Sequence, residues 1–120
     1  MALFFLISTA WGTVRIGVVT DTRYDRADYA GRAAVALDIV NKFKTEEVNL
    51  VLHLGNVYEG NFSPDGTSQQ KQEDYLADKT IYEPIWESID APVYWLVGNL
   101  DRFGIGNSFF VQNWASFILT

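Results

Sequence analysis

Three apolar runs in the sequence each stop at a residue whose side chain carries a carboxylate or an amide. Asp21, Asn56 and Asn99 stand at these stops, and a further acid, Asp101, follows two places after Asn99. Strands that end together would bring such side chains to one edge of a sheet, where ligands commonly bind. Asx side chains also satisfy backbone groups in turns and helix caps. A binding site and a set of turn residues are therefore both open interpretations.

The elements that position these residues follow from hydrophobic periodicity. The predicted strands cover residues 13–20, 48–54 and 92–97, and the predicted helices cover 29–44 and 69–89. The first strand is a near-continuous apolar run, which predicts burial on both faces. Pro84 lacks an N–H and is expected to kink or restart the second helix. The order predicts an α/β fold, a βαβαβ parallel sheet layered with helices.

Composition limits the size and the partners of this chain. Its 120 residues are enough for one domain at most. A formal charge of −6 and a pI near 4.5 leave no basic surface of the kind that binds phosphate backbones, so we expect no nucleic acid partner. The absence of Cys excludes disulfides and thiolate metal sites.

The first twelve residues are open to three interpretations. Residues 3–7 are apolar and residues 8–10 are small, which fits a short cleaved signal. The same stretch fits an extra edge strand or a disordered leader, and it is too short to span a bilayer. We divide the chain into 1–12, a leader or edge strand, and 13–120, the main domain. We expect a soluble chain and predict no compartment.

Three motifs in this order resemble those of a known family. They are Asp21-Thr22-Arg23, Gly55-Asn56-Val57-Tyr58 and Gly98-Asn99-Leu100-Asp101. They are similar to the Asp-x-His, Gly-Asp-x-x and Gly-Asn-His-Asp or Gly-Asn-His-Glu motifs of the calcineurin-like metallophosphoesterases. The resemblance covers residues 14–102. It implies one half of the metallophosphoesterase α/β sandwich, so the domain at 13–120 is expected to be incomplete.

The resemblance also implies a chemistry and roles for the matching residues. The family uses two divalent cations, of Mn, Fe, Zn or Mg, and a hydroxide held between them hydrolyses a small phosphate mono- or diester. Asp21 and Asn99 match ligands of the first and second metal, and Asn56 stands at the bridging position. Asp101 matches the acid that orients the His of the third motif.

Three positions depart from the family pattern. Arg23 replaces a His ligand, Asn56 replaces the bridging Asp, and Leu100 replaces the His of the third motif. The first two changes move the local charge by two units against dications, each worth about 4 kcal/mol at ~4 Å and an effective dielectric of 20. We therefore expect the inherited hydrolysis to be lost or strongly impaired, as in a pseudoenzyme. The alternative is a non-catalytic phosphate-binding or structural and assembly domain.

Three further expectations concern side chains and partners. Arg23 is expected either to pair with Asp21 in place of a metal or to bind a phosphate bidentately. His53, the sole His, is interpreted as a structural residue beside the site. Apolar residues at 116–119 have no evident cover, which predicts a homodimer or a complementing carboxyl-terminal segment.

Overall fold

The computed structural model describes the backbone of residues 2–9, 12–59 and 66–101, together with the side chains of 13–25, 27–59 and 66–101. The elements in chain order are strand β1 (Ala2–Thr9), strand β2 (Gly12–Val19), a short 3-10 turn (Arg26–Asp28), helix α1 (Tyr29–Thr45), strand β3 (Leu50–His53), helix α2 (Ser68–Glu87) and strand β4 (Val93–Trp95). The predicted carboxyl-terminal apolar residues 116–119 lie outside the described residues.

The described strands form one sheet in the order β1-β2-β3-β4. Strand β2 runs parallel to β3, with Val18 opposite Leu52, and β3 runs parallel to β4, with Leu52 opposite Tyr94. The predicted α/β fold with three parallel strands and two helices is therefore confirmed. Strand β1 pairs antiparallel to β2, with Ala2 opposite Val19.

Local sequence signals fix where the second helix begins and how far it extends. Thr67 accepts a hydrogen bond from the backbone of Gln70 at 3.2 Å, and the Gln70 side chain accepts one from the backbone of Thr67 at 2.7 Å. This reciprocal capping box starts α2. Of the kink or restart expected at Pro84, the restart is wrong, since α2 continues to Glu87, and the kink stays a prediction. Pro84 lies in the last turn, where its missing N–H removes one helical bond.

The core lies between the sheet and the two helices, which pack against each other. Its sheet side is formed by Val19, Val51, Val93 and Trp95, and its helix side by Ala36, Val40, Phe43, Tyr75, Tyr82 and Trp86, all of them buried. Gly17 admits one of these rings, because a Cβ at this position would lie 2.9 Å from Cε1 of Phe43. The helices therefore cover one face of the sheet.

The opposite face of the sheet, here called the outer face, is apolar and partly exposed. It carries Val14, Ile16, Val18, Leu50, Leu52, Leu54, Tyr94 and Leu96. Leu54 is 44% exposed and Leu96 is 40% exposed. The expectation of burial on both faces is thus wrong for β2 within the described residues. Both right-handed crossovers move in one direction across the sheet, so α1 and α2 lie on the same side.

Neither helix of the described ranges has the length and apolar character needed to cross a bilayer.

Candidate functional site

The loops that follow β2 and β3 run side by side at the carboxyl edge of the sheet. The backbone N–H of Asp21 donates to the carbonyl of Gly55 at 3.1 Å, and that of Arg23 donates to the carbonyl of Asn56 at 3.0 Å. The first two predicted strand ends are therefore joined by their main chains.

A glycine contact brings the loop after β4 against the loop after β3. A Cβ on Gly55 would lie 2.8 Å from Cα of Gly98, closer than real Cβ contacts allow. Gly55 also has a φ of 96°, a left-handed backbone conformation that favours glycine. A Cβ on Gly98 would collide with the backbone and side chain of Asn56. The two glycines are therefore what allows these loops to touch.

Asp21 is the centre of the side-chain arrangement at this edge. Its Oδ1 accepts hydrogen bonds from Nδ2 of Asn56 at 3.0 Å and from Nε of Arg23 at 3.1 Å. Its Oδ2 accepts one from Oγ1 of Thr20 at 2.8 Å. The hydrogen bonds from Asn56 and Thr20, followed by the contact with Arg23, hold the pKa of the Asp21 carboxyl below its usual value. Asp21 is therefore an ionised group already supplied with donors.

The Asn56 amide links Asp21 to the third loop. While its Nδ2 donates to Asp21, its Oδ1 accepts a hydrogen bond from the backbone N–H of Leu100 at 3.1 Å. Both ends of the amide are thus engaged. The backbone of Asn56 has a φ of 51°, which Asn adopts more readily than most residues.

Arg23 contacts the carboxylates of both Asp21 and Glu59. Its Nη2 is 3.1 Å from Oδ1 of Asp21, and its Nη1 is 3.8 Å from Oε1 of Glu59. The predicted ion pair with Asp21 is present. The Arg23 side chain is 43% exposed, so water screens this pair and its net stabilisation is small. Glu59 was not among the predicted site residues, since nothing in its local sequence distinguishes it from other loop acids.

Asp101 is fully buried and faces the backbone. Its Oδ1 accepts a hydrogen bond from the N–H of Tyr58 at 3.0 Å, and its Oδ2 accepts one from the N–H of Gly98 at 2.8 Å. Burial raises the pKa of this carboxyl, while its backbone donors act in the opposite direction. Asp101 therefore joins the loops after β3 and β4 from the inside. Leu100 is half-buried beside it, and Asn99 is exposed on the same turn.

His53 lies inside the core beneath the three loops. Its ring stacks on Trp95 with centroids 4.7 Å apart and meets the edge of Trp86 at 5.2 Å. Nδ1 accepts the N–H of Gly55 at 3.3 Å, which leaves Nε2 to donate to Oγ1 of Thr22 at 3.0 Å. Burial lowers the pKa of His53 to about 3. Both ring nitrogens are used within the fold, as expected of a structural residue.

An aromatic cluster packs behind the loops. Tyr24 and Tyr82 have ring centroids 5.0 Å apart, and those of Tyr58 and Tyr75 are 4.9 Å apart. Burial raises the pKa of Tyr82 to about 12. These rings support the site from the core side.

The donor set at this edge does not fit a pair of divalent cations. Within the described ranges, no group of three or more His, Cys, Asp or Glu side chains is placed to hold a metal ion. Oδ1 of Asp21 already faces a guanidinium, Oδ1 of Asn56 already accepts an N–H, and both oxygens of Asp101 face backbone donors. Metal binding by Asp21, Asn56 and Asn99 stays a prediction that only a binding measurement can test.

Comparisons with known proteins agree with this architecture. The sequence pattern of the calcineurin-like phosphoesterases matches residues 14–119. No curated protein matches the chain. Among solved structures, the chain is similar to a dimetal phosphatase from Danio rerio, with a TM-score of 0.66 and 16% sequence identity. That alignment covers 81% of this chain and 32% of the phosphatase chain, so this chain spans about a third of that length. At this identity, the likeness shows a shared fold.

Proposed function

The chain belongs to the calcineurin-like phosphoesterase family, and from that membership we propose that it is a domain in which the family's metal-dependent hydrolysis of phosphate mono- or diesters is lost or strongly reduced. The observation that carries this proposal is the engagement of Asp21. Its carboxylate accepts donors from Arg23, Asn56 and Thr20 at 2.8–3.1 Å. A carboxylate held in this way is a poor ligand for a hydroxide-activating cation.

The charge at the edge supports the same conclusion. Two close dications need anionic ligands, yet the bridging position is the neutral Asn56 and a His-ligand position is the permanently charged Arg23. The guanidinium lies 3.1 Å from the Asp21 carboxylate, which matches the ligand of the first metal. A dication approaching Asp21 would therefore meet a fixed positive charge at close range.

The third motif lacks a group that could assist the leaving oxygen. Leu100 carries a hydrocarbon side chain where the family has a His, so this position cannot donate a proton. His53 does not replace it, because its ring is buried and both nitrogens are bonded within the fold. Of the two roles that the third motif combines, metal ligation and proton donation, the described residues retain at most the first through Asn99.

The experiment is a hydrolysis assay with matched variants. We expect the purified chain with Mn²⁺, Zn²⁺ or Mg²⁺ to hydrolyse a generic aryl phosphate monoester and diester no faster than Asp21→Ala. Asp38→Ala is the matched control, since Asp38 is an exposed acid on α1 away from the site. A metal-dependent rate that Asp21→Ala abolishes and Asp38→Ala preserves would overturn the proposal.

A second candidate function is a structural or assembly domain, and the outer face of the sheet favours it. Leu54 and Leu96 there are 44% and 40% exposed, and no described helix covers them. Apolar faces of this kind commonly pair with another protein layer. We propose that a second copy of the chain or a complementing carboxyl-terminal segment supplies that layer.

Light scattering tests the self-pairing form of this candidate. A dimer at micromolar concentration that Leu54→Lys weakens would support it. Leu37→Lys is the control, because Leu37 is similarly exposed, at 45%, but lies on α1 and not on the outer face. A monomer at that concentration, with or without the substitution, would contradict it.

Phosphate binding without catalysis is less well supported. Among the described residues, Arg23 is the cation at the site, and its guanidinium already faces Asp21 at 3.1 Å and Glu59 at 3.8 Å. A phosphate reaching Arg23 would have to lie beside these two carboxylates, and like charges at short range repel.

A further inference from the structure

We propose that Arg23 is a tethered counter-cation: its guanidinium takes, at Asp21, the place that a bound metal ion takes in a dimetal site. The cluster of Asp21, Arg23 and Asn56 is then a closed unit that folds without any cation. The inference rests on the proposed function in one respect, that the wild-type chain keeps no resident metal. It goes further by assigning the replacement to one side chain and by predicting that its removal exposes a cation site.

The coordination of a single oxygen carries the first step. Oδ1 of Asp21 receives Nε of Arg23 at 3.1 Å, Nη2 of Arg23 at 3.1 Å and Nδ2 of Asn56 at 3.0 Å. Three N–H donors converge on this oxygen and fill the space in front of it that a bound cation would occupy. A guanidinium is planar and keeps its charge at all accessible pH values, so it offers this neutralisation permanently.

The backbone shows that the cluster is built as a unit. Asp21, Arg23 and Asn56 have φ values of 54°, 47° and 51°. Asp and Asn adopt this left-handed region more often than most residues, but Arg gains nothing from it. Hydrogen bonds at 3.1 Å and 3.0 Å hold the backbones of Asp21 and Arg23 against the neighbouring loop. The unfavourable conformation of Arg23 is therefore maintained by the contacts that aim its side chain at Asp21.

The balance of charge gives the consequence of losing Arg23. Asp21 and Arg23 cancel, Asn56 is neutral, and Glu59 approaches the guanidinium from its other side at 3.8 Å. Without the guanidinium, the carboxylates of Asp21 and Glu59 would border the space that it leaves. Two carboxylates around one vacated position are a donor set that suits Mn²⁺ or Mg²⁺. A variant that lacks the guanidinium should therefore bind Mn²⁺ or Mg²⁺, which the wild type does not need.

The test is thermal unfolding of the full chain in EDTA and in Mn²⁺. Arg23→Asn is the main variant, because it removes the charge while Asn tolerates the left-handed backbone. We expect its Tm to fall in EDTA and to rise by on the order of 5 °C in millimolar Mn²⁺, since a ligand stabilises the state that binds it. The wild type should melt at the same temperature in both solutions.

Two control variants separate this effect from general loss of a cation. Arg23→Lys keeps the charge and should show no Mn²⁺ response. Lys42→Asn removes an exposed cation that pairs with Glu46 at 2.6 Å, away from the site, and should also show none. A folded Arg23→Asn whose Tm is indifferent to Mn²⁺ would overturn the inference, as would a wild type with the same Mn²⁺ response.

A second measurement covers poor folding of the main variant. If Arg23→Asn is unfolded in EDTA, circular dichroism of the same protein refolded in Mn²⁺ decides: recovery supports the inference, and its absence beside a folded Arg23→Lys opposes it. None of these measurements uses turnover. Asp21-dependent hydrolysis would overturn the proposed function, whereas an indifferent Arg23→Asn would overturn only the tethered counter-cation.

Discussion

The side-chain amide of Asn56 lies 3.0 Å from the Asp21 carboxylate and donates a hydrogen bond to it. An Asp at position 56 could not donate in this way when ionised, and it would place a second negative charge at the same distance. Because the Asn56 amide is neutral and donates a hydrogen bond, its contact with Asp21 is attractive without a bound cation.

Asn56→Asp is accordingly expected to destabilise the chain. Loss of the donated hydrogen bond and repulsion between two partly exposed carboxylates should together lower the free energy of unfolding by about 1–4 kcal/mol at pH 7. Urea denaturation measures the loss, and Asn41→Asp, an exposed position on α1, is the control. Equal stability of the two variants would show that the Asn56 contact contributes nothing.

Asp101→Asn tests the buried connection between the loops. The carboxylate accepts the N–H groups of Tyr58 and Gly98 at 3.0 Å and 2.8 Å, whereas an amide turns one N–H group toward a backbone donor. We expect a loss of about 2–3 kcal/mol in the free energy of unfolding, from the unsatisfied buried groups. Asp38→Asn is the exposed control. A loss below 0.5 kcal/mol (a rough threshold for surface changes) would contradict the assigned role.

Burial of the His53 ring makes the free energy of unfolding of the chain depend on pH. Its pKa falls from an ordinary 6.5 to about 3 in the folded chain, so the unfolded chain takes up a proton first as the pH falls. The stabilisation is complete above pH 6.5 and is lost progressively between 6.5 and 3. By pH 5 the loss reaches about 2 kcal/mol.

The difference between wild type and His53→Gln isolates this titration. A glutamine side chain has no titrating ring, so the variant should start less stable at pH 7 and lose less stability down to pH 5. The raised pKa of Asp101 acts in the opposite direction but is common to both proteins. Parallel stability curves for the two proteins between pH 7 and pH 5 would rule out His53 as the source.

Gly98→Ala tests the contact between the loops after β3 and β4. The added Cβ would collide with Asn56, whose backbone is part of the neighbouring loop, so we expect a loss of at least about 2 kcal/mol. Gly31→Ala is the matched control. Its Cβ would meet the Asp28 carboxylate, which can rotate away, and Ala favours the helix. A Gly98→Ala chain as stable as Gly31→Ala in urea would refute the close approach.

Strand order and motif position were sufficient to predict the α/β fold and the convergence of Asp21 and Asn56. Both depend on short-range patterns: apolar runs specify strands, and parallel strands bring their carboxyl ends to one edge. The ion pair of Arg23 with Asp21 was also predictable, because an adjacent opposite charge is the nearest partner available.

The errors have a common physical origin in tertiary context. Burial of the first strand on both faces was predicted from its composition, but which face α1 and α2 cover depends on the direction of the crossovers. The passage of α2 through Pro84 depends on packing in the last turn. The inward orientation of Asp101 and the hydrogen bond from His53 to Thr22 depend on residues 43 and 31 positions away, so no local pattern could reveal them.

The contact of Gly55 with Gly98 has a consequence for recognition at this edge. Because neither loop can shift without displacing the other, anything that binds here meets a surface whose shape is set before it arrives. Little conformational entropy is then lost on association, and discrimination between partners depends on fit more than on adaptation. The edge is a preorganised template, whatever chemistry its side chains perform.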